Sequence, residues 1–199
     1  MQNHITKNLY EIRNTSSFTP DTKSAVFISY KQDPDKKTAT QCANIIKDAG
    51  LYYWLDVERV PPNEDDVKIA TCIEEGLDAA SALLGIIGPE TFNSSWVPYE
   101  TGGARGRKRF KNRIQDNLHP ERPHPLIAHY IYDPDISDLP AFIELGTPLR
   151  CLCEVQEWTA YIADILRQEP VTLYEAKRLW ERHKINEIYE RNIRYLRSK

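Results

Sequence analysis

Trp96 and Glu100, four positions apart, form the first constellation in this sequence that could do chemistry. They follow Ser94 and Ser95, with Pro98 between them, so the stretch reads as a helix start. A serine caps it, and the proline falls in the first turn, where a missing N–H costs little. At i and i+4 the indole can pack beneath the carboxylate, fixing its rotamer and shielding it from water, while a helix start favours negative charge. The product is one positioned anion. Such spacing also arises by chance in many helices, so its meaning depends on what surrounds it.

Other chemistries find little support. Gly85-Ile86-Ile87-Gly88 and Gly102-Gly103-Ala104-Arg105-Gly106 match neither the dinucleotide fingerprint nor the Walker pattern. A nucleotide would need another cradle, for which Lys31, backbone N–H groups after the first strand and the basic run 105–113 are the candidates. That run has six Lys or Arg in nine residues, which reads first as a solvated helix end or loop. None of His4, His119, His124, His129 or His183 lies in a ligand spacing, so no metal is expected, and His129 reads as a core or sheet-face residue. Cys151 and Cys153 would share one side of a strand. With Cys42 and Cys72 they make no disulfide framework, and a reduced, cytoplasmic protein is expected.

The elements that must position these residues follow from periodicity. AVFISY (25–30) is a short apolar run without polar alternation, the pattern of a strand covered on both faces. Ala39, Cys42, Ala43, Ile46 and Ala49 then recur at helical spacing up to Gly50. The unit repeats with strands at 51–56, 82–87, 126–132 and 149–153. Between them come helices marked by Ile69, Ala70, Ile73 and Leu77, by the Trp96 stretch, and by Val155, Trp158, Ile162, Ile165 and Leu166. This alternation predicts an α/β fold, a doubly wound parallel five-stranded sheet with helices on both faces. Residues 1–23 read as an N-terminal arm, 24–168 as the sheet domain and 169–199 as a C-terminal helix, with Thr172 and Glu175 at capping-box spacing and a local charge of +4 from Thr172 onward.

Composition bounds the function. Apolar residues at 41% and charged residues at 28% exclude wholesale disorder and collagen-like structure. A net charge of −3 gives the whole molecule no bulk attraction for nucleic acid or anionic membrane. No apolar run of about eighteen residues marks a membrane span. In a doubly wound sheet, ligands bind beyond the carboxyl ends of the strands. Tyr30-Lys31, Trp54-Leu55-Asp56 and the helix bearing Trp96 and Glu100 should therefore converge on one crevice.

SAVFISYK, GLYYWLDVERV and IEEGLDAASALLGIIGPETFNSSWVPYE, in that order, resemble the Toll/interleukin-1 receptor (TIR) domain family over roughly residues 24–168. The resemblance implies a flavodoxin-like sheet and, in the family's enzymatic branch, cleavage of NAD+ at the nicotinamide–ribose bond. It implies Glu100 as the catalytic glutamate, Trp54 as the aromatic that stacks on nicotinamide, and Lys31 near the diphosphate. Asp56 would open the loop after the second strand, Trp96 would support Glu100, and Ser29 and Tyr30 would line the floor. The pair Lys31-Gln32 departs from the two arginines that some family enzymes carry, and Pro61-Pro62 stiffens the loop start.

The resemblance extends to the TIR proteins of Thoeris-type anti-phage systems. It implies NAD+ as substrate with no separate cofactor, an ADP-ribose-derived product, cyclic or conjugated, read by a separate effector, and self-association through TIR–TIR contacts involving the loop 56–67. The alternative is a non-catalytic adaptor that binds other TIR domains. A nucleic-acid module built on 105–113 ranks below both.

Overall fold

The computed structural model describes residues 25–55, 65–107, 124–136, 139–167 and 174–185. Strands β1 (Ala25–Ser29), β2 (Tyr52–Leu55), β3 (Ala82–Ile87), β4 (Ile127–Ile131) and β5 (Thr147–Leu149) form one parallel sheet in the order β2-β1-β3-β4-β5. This is the flavodoxin-like order, and its winding reverses between β1 and β3, so the crevice opens at their carboxyl ends. Among the described residues, α1 (Lys36–Asp48) packs against α4 (Leu152–Arg167), while α2 (Asp66–Ala79) packs against α3 (Trp96–Gly106). These pairs are the two outer layers.

The apolar runs form strands because both sheet faces are covered. All six residues of β3 are buried, which leaves no place for polar alternation. In α1 the buried stripe is Ala39, Cys42, Ala43 and Ile46. Gly50 ends that helix at φ +76°, a left-handed conformation that costs glycine least, and its N–H closes on the Lys47 carbonyl at 2.9 Å.

The last strand differs from expectation. β5 covers Thr147–Leu149 rather than 149–153. Pro148 can sit there because β5 is an edge strand and need not donate at every position. Beyond it Cys151 lies in a bend and Cys153 in α4, so the two do not share a strand face. The expectation of a wholly reduced chain is also corrected, since these two cysteines form a disulfide while Cys42 and Cys72 remain free. A bridge over one intervening residue is not a framework of staples.

Residues 174–185 are helical and rest on α4. The Trp180 ring lies 5.3 Å from that of Tyr161, and Asp164 meets both Arg182 and His183 at 3.1 Å. The N-terminal arm, Asp56, Pro61-Pro62, most of the basic run, and Thr172 lie outside the described residues. No helix among those described is long and apolar enough to cross a membrane.

A one-carboxylate cleft at the carboxyl end of the sheet

Strand register places Ser29, Gly85 and His129 side by side across β1, β3 and β4. Helix α3 lies over this row. From it Glu100 reaches Ser29, whose hydroxyl donates to Oε2, and Thr101 reaches His129 Nε2 at 3.3 Å. Between them Gly85 must lack a side chain, since a Cβ there would lie 2.6 Å from His129 Cδ2. The Thr101 hydroxyl proton goes to the Val97 carbonyl at 3.0 Å, so the histidine Nε2 is the donor to Thr101 Oγ1. Burial pushes His129 down to about 4, and burial with Arg105 nearby pushes His124 down to about 4 as well. His129 is thus the neutral core residue that its strand position predicts.

The start of α3 is fixed independently. Val97 belongs to an apolar cluster with Ile87, Ile131, Ile136 and Ile143. Its N–H points at Ser94 Oγ at 3.4 Å, so Ser94 is the serine that reaches the exposed turn, while Ser95 occupies the cap position with no side-chain bond. Glu100, one turn in, is held from two sides: helix packing sets its backbone and Ser29 sets its carboxyl group. Only 5% of its surface is exposed, and that surface lines a cleft of about 370 Å³.

Three walls enclose the cleft. Tyr30, Lys31 and Gln32 come from the segment after β1. Ile69 and Ile73 of α2 give an apolar wall. Asn93, Ser94 and Trp96 form the third, and Glu100 is the only carboxylate lining the cleft among the described residues. On the rim the Lys31 ammonium pairs with Glu90 at 3.3 Å, and Asn93 donates to the same oxygen at 3.3 Å. The Asn93 bond and then Lys31 hold the Glu90 carboxyl below the usual range.

Trp96 and Glu100 therefore open onto one cleft, as their spacing predicts, and Tyr30 and Lys31 join them. Ser29 lies behind Glu100 as its donor and is itself fully buried. Trp54 departs from expectation. It is 95% covered, its ring stacks on Phe27 at 4.4 Å, and Gly76 of α2 approaches so closely that a Cβ would lie 2.5 Å from Cε2. It faces the packed layer under α2, and its indole is not offered to the cleft. Asp56 lies outside the described residues. Sequence reasoning missed Asn93, which sits on a short 3-10 helix (Pro89–Asn93) directly after β3. The rule that ligands meet strand ends was the signal that could have found it.

A single braced carboxylate beside an ammonium, an indole and two isoleucines suits a ligand with a flat cationic portion and an anionic one. It could stabilise positive charge developing in a transition state. Among the described residues it offers no second acid for a two-carboxylate hydrolysis.

Sheet order and cleft together define a flavodoxin-like α/β domain with a ligand crevice at its winding switch. The chain belongs to the TIR domain family, whose model matches residues 26–134. Among solved structures it is similar to the TIR domain of the Toll-related receptor TRR-2 from Hydra magnipapillata, at 15% identity and a TM-score of 0.50, covering 72% of this chain and 98% of that one. A metazoan TIR-STING receptor from C. gigas, solved in complex with 2′,3′-cGAMP, matches at 16% identity and a TM-score of 0.47, covering 72% of this chain and 39% of that one. The TIR domains of the activated Roq1 resistosome, which recognises the pathogen effector XopQ, match at 12% identity and a TM-score of 0.42, covering 83% and 99%. No curated protein matches.

Proposed function

We propose that this chain is an NAD+-cleaving TIR enzyme of the bacterial anti-phage type, acting in the cytoplasm. The observation that carries the reading is Glu100, tethered by Ser29 at the wall of a 370 Å³ cleft that also holds Lys31 and Trp96. The bond between the nicotinamide nitrogen and the ribose anomeric carbon breaks heterolytically. Its electron pair leaves with the ring, so a pyridinium becomes neutral nicotinamide and no general acid is needed. Glu100 balances the oxocarbenium-like charge left on the ribose. Lys31 faces the diphosphate, and the aromatic partner of the nicotinamide is Trp96, since Trp54 is packed away. Water, an internal nitrogen or another molecule then takes the ADP-ribosyl group, giving a linear, cyclic or conjugated product for a separate effector.

The test is nicotinamide release from NAD+, alone and after phage challenge, by the native chain and by Glu100→Gln. The amide keeps an acceptor for Ser29 but carries no charge, so a loss of at least about 100-fold is expected. Equal release by both proteins overturns the reading.

A non-catalytic adaptor is the second reading. It is favoured by Phe92 and Tyr99, which expose 41% and 46% of their surfaces near the start of α3. Partner binding that survives Glu100→Gln, with no turnover under any condition, would select it. Self-association belongs to both readings. For the enzyme it predicts specific activity that rises with protein concentration, and strict proportionality from nanomolar to high micromolar would count against it.

A further inference from the structure

A second polar cluster contributes no residue to the cleft lining but is joined to it through the backbone, by Asp35 N to Lys31 O and Ser94 N to Thr91 O. Asp35 has no exposed surface, and its two oxygens are taken by different parts of the chain. The Tyr132 hydroxyl donates to Oδ1 at 2.7 Å, and the Thr91 hydroxyl donates to Oδ2 at 3.1 Å. Thr91 Oγ1 in turn accepts the Gly88 N–H at 2.9 Å. Position 88 has no room for a side chain, because a Cβ would lie 2.6 Å from Asp35 Oδ1 and closer still to the Tyr132 oxygen. One carboxylate thereby joins the turn after β1, the 3-10 helix after β3 and the residue that follows β4.

Asp35 also sits at the N-cap of α1, yet its side chain makes no cap bond. A buried carboxylate that gives up the helix N–H groups for two distant hydroxyls is committed to tying segments together. The turn it ends needs such an anchor. Asp33 lies at φ +28°, in the left-handed region that costs a non-glycine residue free energy, and the turn closes on itself through Asp35 N to Lys31 O at 3.3 Å. That turn carries Lys31 and Gln32 into the cleft, while the 3-10 helix carries Glu90, the partner of Lys31, and Asn93. Burial, and then the bond to Asp35, raise the Tyr132 phenol above its ordinary range, so it remains a donor at any working pH.

We propose that Asp35 is a positioning residue: through Tyr132 and Thr91 it fixes the Lys31–Gln32 wall against the Glu90–Asn93 rim and so sets how tightly the cleft holds the anionic part of its ligand. Its effect on turnover rests on the NAD+ reading, whereas the mechanical link does not.

The experiment compares Thr91→Val, Thr91→Ser and Tyr132→Phe with the native chain. In ligand-free protein, amide hydrogen exchange over residues 30–35 should quicken about tenfold in Thr91→Val and Tyr132→Phe, with the α4 amides unchanged, and Thr91→Ser should match the native rate. In NAD+ turnover the same two variants should raise KM about five- to tenfold while kcat stays within about twofold, and Thr91→Ser should restore the native KM. Unchanged exchange at 30–35, acceleration spread evenly over the chain, or a fall in kcat at constant KM each overturn the proposal. If the native chain releases no nicotinamide, the enzymatic reading fails and the exchange comparison alone decides this one.

Discussion

Two buried histidines make this fold acid-sensitive in a way that can be worked out in advance. His124 and His129 are both pushed from 6.5 down to about 4 by burial. Between those values the unfolded chain binds a proton at each ring and the folded chain does not, so stability falls as pH drops. The loss begins near 6.5, grows through 5 and levels off below 4. Each proton contributes about 1.4 kcal/mol per pH unit, so the pair gives a slope of about 2.7 and a full loss of roughly 3 kcal/mol per ring. Against a typical stability of about 5–15 kcal/mol this is a large fraction. The assay is urea unfolding followed by tryptophan fluorescence at pH 7.5, 6.5, 5.5 and 5.0. His129→Gln places an amide where Nε2 meets Thr101, and His124→Asn keeps an acceptor for the Leu126 N–H. Each should flatten the slope by about half, whatever it does to stability at pH 7.5. Native and variant slopes that coincide, or a native protein that gains stability on acidification from 6.5 to 5, refute the reasoning.

Gly76→Ala should destabilise the protein by about 1–2 kcal/mol, because a methyl driven into the rigid Trp54 ring outweighs the helix propensity gained, and a raised melting temperature would contradict this. Trp96→Ala should raise KM for NAD+ about tenfold and, because the half-buried ring packs on the core, cost about 1–2 kcal/mol of stability, whereas Trp54→Ala should cost about 3–5 kcal/mol, and denaturation curves beside kinetics would expose a reversal of these roles. Reducing Cys151–Cys153 frees a three-residue loop and should cost only about 1–2 kcal/mol, so a loss beyond about 3 in reducing agent would show that the bridge holds more than its own turn.

What the sequence made legible was whatever repeats locally. The bounds of β3 can be read directly, because six buried positions in a row leave one interpretation. Trp96 and Glu100 share the cleft because helical spacing dictates a common face. Trp54 was not legible in the same way: an indole near a strand end can face ligand or core, and the choice is made by Gly76, 22 positions later, letting α2 come close. The fifth strand was misplaced because its apolar signal is one leucine beside a proline. The Asp35 cluster was out of reach altogether, since its bonds span 56 and 97 residues and no periodic pattern encodes them.

The missing side chain at position 88 leaves a mark in any lineage of this domain. A relative that carries alanine or serine there has no room for both the phenol of Tyr132 and the carboxylate of Asp35, so the three positions must change in concert. Where glycine, aspartate and tyrosine occur as a set, the crevice wall is laced from behind. Where one is replaced, the wall must be secured by some other means or be free to shift, and ligand preference should diverge along that divide.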